Sequence, residues 1–313
     1  MMAWTDRHCR YFHRLQAPSA RLYSEMLVAD ALLAGDAGRL LTFDPAERPL
    51  ALQLGGNDRR KLAAAARRAA AAGYDEINLN VGCPSDRVQQ GVFGACLMRQ
   101  PNRVRDLIAA LGDAVSLPVT VKCRIGVDEM DSEAFFHDFA ATVMAAGCRT
   151  FIVHARKAWL KGLSPKDNRQ VPPLDYPRVY RLKRLWPELT VVINGGIASR
   201  ADIRRHLGQV DGVMLGRAAY HNPFLLAESE QDFSGRALPA RRAVLEKMIA
   251  YAARQAKEGV PPRRIGRHLL GLYHGQPGGR AWRRALSAAL QTSSDPEIWR
   301  RCVPARQQAE TGC

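Results

Sequence analysis

Short apolar, β-branched runs alternate with amphipathic helical stretches over roughly the first 230 residues. The runs predict strands at Leu22–Val28, Pro49–Leu54, Glu76–Val81, Pro118–Ile125, Thr150–His154, Thr190–Asn194 and Gly212–Leu215. Several lack polar alternation, as expected of parallel strands covered on both faces. Helical periodicity falls between them, at Asp58–Ala72 with Asn57 as its N-cap, Asn102–Leu111, Ser132–Ala146, Asp175–Trp186 and Ser199–Leu207. Repeated strand–helix units imply an α/β fold with a parallel sheet. Seven strands are visible, whereas a (β/α)8 TIM barrel has eight. The helix-like Asp6–Leu15 has no strand before it, so the first strand is expected to be truncated or missing. A doubly wound open sheet is the alternative, but the dinucleotide turn G-x-G-x-x-G that usually accompanies it is absent.

The pattern changes after Phe233–Pro239. Ala240–Lys257, Arg263–Tyr273 and Arg280–Leu290 read as helices, with no strand among them. Two domains are expected: a barrel over 1–235 and a small all-helical domain over 240–313.

Composition narrows the class. The 313 residues are 47% hydrophobic and carry a net charge of +16, which excludes a disordered or fibrous chain. Residues 232–313 hold 15 Lys and Arg against 6 Asp and Glu. A surface this basic suits a polyanion such as nucleic acid; an Arg-rich genome is the alternative source of the charge. There is no apolar run long enough to span a membrane, and the first residues lack the apolar core of a signal peptide. Seven Cys without C-x-x-C spacing argue against a disulfide framework or zinc site, and a reducing cytoplasm is expected. No H-E-x-x-H or clustered His and Cys points to a metal.

Barrel chemistry lies at the C-terminal ends of strands. Gln53 ends one strand; its amide could meet the edge of a planar ring, or be an ordinary polar strand end. Cys83 follows another in Asn80-Val81-Gly82-Cys83-Pro84-Ser85, where Gly and Pro fix a tight loop. It reads as a nucleophile, a general acid or an inert buried thiol. Lys122 lies within a strand beside Thr120 and Arg124 on the same face, and needs a negative partner: a ring system, a phosphate or a carboxylate. His154 ends a strand in a cation cluster; it binds a ligand or is a satisfied core histidine. Asn194-Gly195-Gly196 and Gly216-Arg217 follow the last two strands, where barrels build phosphate sites. Flavin mononucleotide (FMN) fits this inventory, with Lys122 near the N1–C2=O edge of the reduced ring and Cys83 as proton source.

Longer motifs carry a resemblance. Leu79-Asn80-Val81-Gly82-Cys83-Pro84-Ser85-Asp86-Arg87-Val88-Gln89 is similar to the signature of tRNA-dihydrouridine synthases. His154-Ala155-Arg156-Lys157-Ala158-Trp159-Leu160, Ser164-Pro165-Lys166-Asp167-Asn168-Arg169 and Val171-Pro172-Pro173-Leu174 resemble the A-type subfamily. Asp211–Ala218 and Trp282-Arg283-Arg284 also match, so the resemblance covers roughly Met1 to Leu290. It implies an FMN-binding barrel followed by a helical tRNA-binding domain. It also implies reduction of D-loop uridines 20 and 20a, with NADPH as reductant, hydride passing from the flavin to C6 and Cys83 protonating C5. By the same resemblance Gln53, Lys122, His154, Asn194, Gly195, Gly196, Gly216 and Arg217 contact FMN. Asn80 meets the uridine, and Lys166, Asn168, Arg169 and Arg284 lie in tRNA-facing segments. Family members have a strand running into an Ala-Pro-Met-Met type of segment, so Met1 and Met2 are expected beside the flavin. A monomer is expected. The competing expectations are a tRNA-binding relic without catalysis and an FMN barrel that reduces a small pyrimidine.

Overall fold

Seven strands form one sheet: β1 (Leu22–Val28), β2 (Leu50–Gly55), β3 (Glu76–Val81), β4 (Val119–Arg124), β5 (Thr150–His154), β6 (Thr190–Asn194) and β7 (Gly212–Met214). The computed structural model describes residues 1–304, so Cys313 and the end of the predicted helical domain lie outside the described residues. Every ladder is parallel and the strand order follows the sequence. Sequential parallel order is that of a barrel wall; a doubly wound sheet reverses order part-way.

The linking helices are Arg59–Ala71, Pro101–Ala114, Glu133–Met144, Tyr176–Leu185 and Arg200–Leu207. Their starts are set by side chains. Ser132, Asp175 and Ser199 accept the backbone N–H of Phe135, Arg178 and Asp202. Such a cap contributes about 1 kcal/mol. Asn57 is not the cap of the Arg59–Ala71 helix: Asp58 accepts the Lys61 N–H, and Asn57 Oδ1 instead receives Arg103 at 2.9 Å. That helix buries Leu62, Ala65, Ala66 and Ala69, one face at helical spacing. Two short helices, Ala29–Ala34 and Ala37–Leu41, follow β1. They are too brief to show a period in the sequence.

The chain divides into two compact units. The first holds Met1–Met2 and Arg21–Gly216; the second holds Ala3–Ala20 and everything from Arg217 onward. The helix Arg7–Arg14 belongs to the second unit because Phe12 is fully buried in its apolar cluster with Leu245, Met248, Leu269 and Trp282. Tyr11 stacks on Tyr251 with ring centroids 4.0 Å apart. The described part of the second unit is helical, including Phe224–Ser234, Arg241–Lys257 and Gly279–Thr292. The predicted helix Arg263–Tyr273 is instead an α-helical turn, Pro262–Gly266, followed by a 3-10 turn, Arg267–Gly271. Among the described residues no helix is long and apolar enough to cross a membrane.

Candidate active site on the sheet

One face of the sheet is polar although every residue of β3 is buried. Gln53 lies opposite Asn78, Asn78 opposite Thr120, and Asn80 opposite Lys122. Alternation sends Ile77, Leu79 and Val81 to the other, apolar face. Gln53 Nε2 donates to Asn78 Oδ1 and Asn80 Nδ2 donates to Gln53 Oε1, both at 2.8 Å. The Gln53 amide keeps one N–H and one lone pair for a further partner.

Asn80 also shapes the loop after β3. Its Oδ1 accepts the backbone N–H of Gly82 at 3.1 Å and of Cys83 at 3.0 Å. Arg124 Nε donates to the Gly82 carbonyl, and the Ala95 N–H donates to the Cys83 carbonyl at 2.8 Å. Gly94 makes that approach possible: its φ is +73°, and a Cβ there would lie 2.5 Å from the Cys83 carbonyl oxygen. Cys83 is half-buried, with Sγ 3.5 Å from Ser85 Oγ. Cys9, Cys123, Cys148 and Cys302 are buried, and burial pushes the Cys123 and Cys148 thiols up to about 12. Cys96 is half-buried and bonded to the Phe93 carbonyl.

Lys122 reaches across the same face to Asn194 Oδ1 at 3.2 Å. Among the described residues it has no carboxylate partner, which removes the ion-pair alternative. Burial, and then the neighbouring Arg124, lower its pKa to about 8. Asn194 is oriented by donating to the Met214 carbonyl. His154 pairs in register with Asn194 and Arg124. Burial, followed by the positive charges of Arg124 and Lys122, holds its pKa well below the ordinary value, so the ring is neutral. Gly195 and Gly196 both have positive φ, and a Cβ on Gly195 would lie 2.5 Å from His154 Cδ2. Tyr176 Oη donates to the Gly195 carbonyl at 2.7 Å. Gly216 ends the first unit with Met1 Sδ as its nearest neighbour, 3.8 Å from where a Cβ would be. Met2 is exposed, and Arg217 opens the short helix Arg217–His221 of the second unit.

The segment after β5 separates the remaining candidates. Lys166 and Arg169 are exposed, as is Arg284 in the second unit. Asn168 does not face outward. It is fully buried, its Oδ1 accepts the Trp159 N–H, and its Nδ2 donates to the Trp159 and Leu163 carbonyls. Its amide closes the loop upon itself, with Oδ1 and Nδ2 both bonded to backbone groups of that loop. Arg124 joins this loop to the Cys83 loop by donating to the carbonyls of Lys157, Asn168 and Gly82.

A thiol just past a strand end, a half-buried ammonium without a carboxylate partner among the described residues and a neutral histidine beside paired glycines therefore gather at one sheet. The sequence profile of dihydrouridine synthase (Dus) matches residues 1–308. The chain belongs to the dihydrouridine synthase family. Among its relatives in this family, a tRNA-dihydrouridine(20/20a) synthase of Xanthomonas campestris is 58% identical over 92% of this chain and 86% of its own length. Proteins of the same name from Shewanella oneidensis and Salmonella typhimurium are each 54% identical, over 92% of this chain and 86% and 87% of their own lengths.

This dihydrouridine synthase places polar residues on the site face that the motif reading did not single out: Glu76, Asn78, and Arg124 as a clasp between loops. Their signal was present as a polar residue at every second position of an otherwise apolar strand, Glu76-Ile77-Asn78-Leu79-Asn80. Only the register shows that these positions meet Gln53 and Thr120.

Proposed function

We propose that this chain reduces uridine to 5,6-dihydrouridine in the D-loop of tRNA, at positions 20 and 20a, using FMN and NADPH. The observation that carries the reading is Lys122, a half-buried ammonium with no carboxylate partner among the described residues. A ligand that gathers negative charge beside it offsets that cost, and a reduced flavin ring is such a ligand. The surrounding donors fit the same group: Gln53 has spare amide capacity, His154 is neutral, and Asn194 with Gly195 and Gly196 leaves small residues and backbone N–H groups for a phosphate. Gly216, Arg217, Met1 and Met2 belong to the same proposed flavin set. Bound there, FMN supplies the transfer of two electrons from NADPH to the uracil ring.

The chain's own residues supply the rest. Cys83 gives its thiol proton to C5 of the uracil as C6 is reduced, and solvent replaces that proton. Asn80 holds the Cys83 loop and offers the uracil its remaining polar capacity. Lys166, Arg169 and Arg284 are the exposed cations proposed to meet tRNA phosphate, with Asn168 holding the shape of the Lys166–Arg169 segment from within. The basic helical unit is proposed to hold tRNA by shape and charge. The seven strands are proposed to be seven staves of a (β/α)8 barrel, with the eighth position between β7 and β1. The sequential parallel order supports this, as does Met1 next to Gly216. A cytoplasmic monomer completes the proposal.

Two measurements test it together. The purified protein should absorb near the flavin bands, and with NADPH should form dihydrouridine in unmodified tRNA, read by nucleoside mass spectrometry. Cys83→Ala should keep the flavin and lose roughly 10²–10⁴-fold in rate. Full turnover by Cys83→Ala would sink the proton-donor role. A colourless protein that still binds tRNA would point to a relic, and turnover of a free pyrimidine to a small-molecule reductase.

A further inference from the structure

The hydrogen bonds beneath Cys83 form one continuous line across β2, β3 and β4. The backbone N–H groups of Gly82 and Cys83 donate to Asn80 Oδ1. Asn80 Nδ2 donates to Gln53 Oε1, and Gln53 Nε2 donates to Asn78 Oδ1. Asn78 Nδ2 donates to Thr120 Oγ1 at 2.8 Å, and the Thr120 hydroxyl donates to Glu76 Oε1 at 2.6 Å. Glu76 is buried at 4% exposure and also accepts from Arg21, just before β1, and from Tyr23 of β1, at 2.9 and 3.0 Å.

The ends decide the direction of every link. A backbone N–H can only donate, and an ionised carboxylate can only accept. With donors fixed at the Cys83 end and an acceptor fixed at Glu76, each amide between them has a single orientation that leaves no partner unmet. Bonds in such a line polarise one another in the same sense.

We propose that Glu76, acting through Thr120, is a positioning residue for the reaction: it sets the polarity of this line and thereby holds Asn80 and the Cys83 loop in the proton-donating geometry. The proposal rests on the reading of Cys83 as proton donor. Glu76 and Thr120 touch neither uracil nor flavin in this scheme. Their effect reaches the thiol through the backbone N–H of Cys83.

Thr120→Val is the informative change. It cuts the line while Glu76 keeps Arg21 and Tyr23, and the side-chain shape is nearly preserved. Thr120→Ser retains the hydroxyl. Thr120→Val is expected to lower kcat roughly ten- to a hundred-fold with KM for tRNA unchanged. Alkylation of Cys83 by iodoacetamide, read by peptide mass spectrometry with Cys96 as internal reference, should quicken in the same variant. Thr120→Ser should restore both. Wild-type kcat in Thr120→Val overturns the proposal, as does a fall in kcat with Cys83 reactivity unchanged. A loss that Thr120→Ser shares in full overturns it too, because that loss belongs to packing. If Thr120→Val does not fold, Asn78→Leu with Thr120→Val replaces both partners of one bond by apolar groups and is read in the same way. Cys83→Ala in the same assay keeps the two readings apart. Normal turnover there removes the proton-donor role and this proposal with it; an inactive Cys83→Ala beside a fully active Thr120→Val removes the positioning proposal alone.

Discussion

Lys122 works against the stability of the flavin-free chain. Burial and Arg124 take its pKa from the ordinary 10.5 to about 8, so folding disfavours its charged form. Below pH 8 the full cost is present; it fades as pH rises towards 10.5, where the unfolded chain also loses the proton. Lys122→Met should therefore stabilise the flavin-free protein at pH 7 by on the order of 1–3 kcal/mol after allowing for partial solvent screening, read from urea unfolding. The same variant should lose bound flavin. A Lys122→Met protein that is less stable than wild type without flavin would contradict this account. Gly195 is the second residue whose chemistry is set by its surroundings. Its φ of +114° and the His154 ring next to it leave no room for a side chain. Gly195→Ala should cost roughly 1–3 kcal/mol in thermal unfolding and reduce flavin occupancy by displacing His154.

At the scale of elements, the strands were the legible part of the sequence. Glu76–Val81, Thr150–His154 and Thr190–Asn194 begin and end where the sequence pattern predicts. Helix starts were legible at Ser132, Asp175 and Ser199, whose side chains have only local work to do. Cys83, His154 and Gly195 beside strand ends, and Lys122 within β4, were nameable as candidates because such positions are few in a parallel sheet. The Glu76–Thr120 connection was not, since it depends on register between strands more than forty residues apart. The burial of Asn168 was not legible either, because its partners are carbonyls of its own loop. The Arg7–Arg14 helix hid its destination for another reason. Only Cys9 and Phe12 mark its apolar face, and its other buried residues are His8, Arg10, His13 and Arg14. Those histidines give the helix a pH signature. Burial lowers both His8 and His13 from 6.5 to about 4. The unfolded chain takes up protons first, so their contribution is complete above pH 6.5 and is lost as pH falls through 4. Urea midpoints should drop across that window, and His13→Leu should flatten the drop by about one proton's worth of slope.

For the whole molecule, charge decides how its proposed partner is held. The net charge of +16 is spread along the chain, with 15 cations against 6 anions over 232–313. Many of these cations are exposed, Arg283 and Arg284 among them. A polyanion bound this way releases counterions, so affinity falls linearly with salt on logarithmic axes. If the chain neutralises about six phosphates, raising salt from ~50 to ~200 mM should weaken tRNA binding about 10³-fold. Cys83→Ala should show the same slope, because a thiol in the sheet carries no part of that charge. Arg283→Ala with Arg284→Ala should make the slope shallower by roughly one to two units while leaving flavin content unchanged. The slope also separates the two ways a basic chain can arise. A surface made basic only by genome composition has no reason to present its cations in register with phosphates, so the Arg pair would leave the slope unchanged. A surface built for tRNA loses countable contacts.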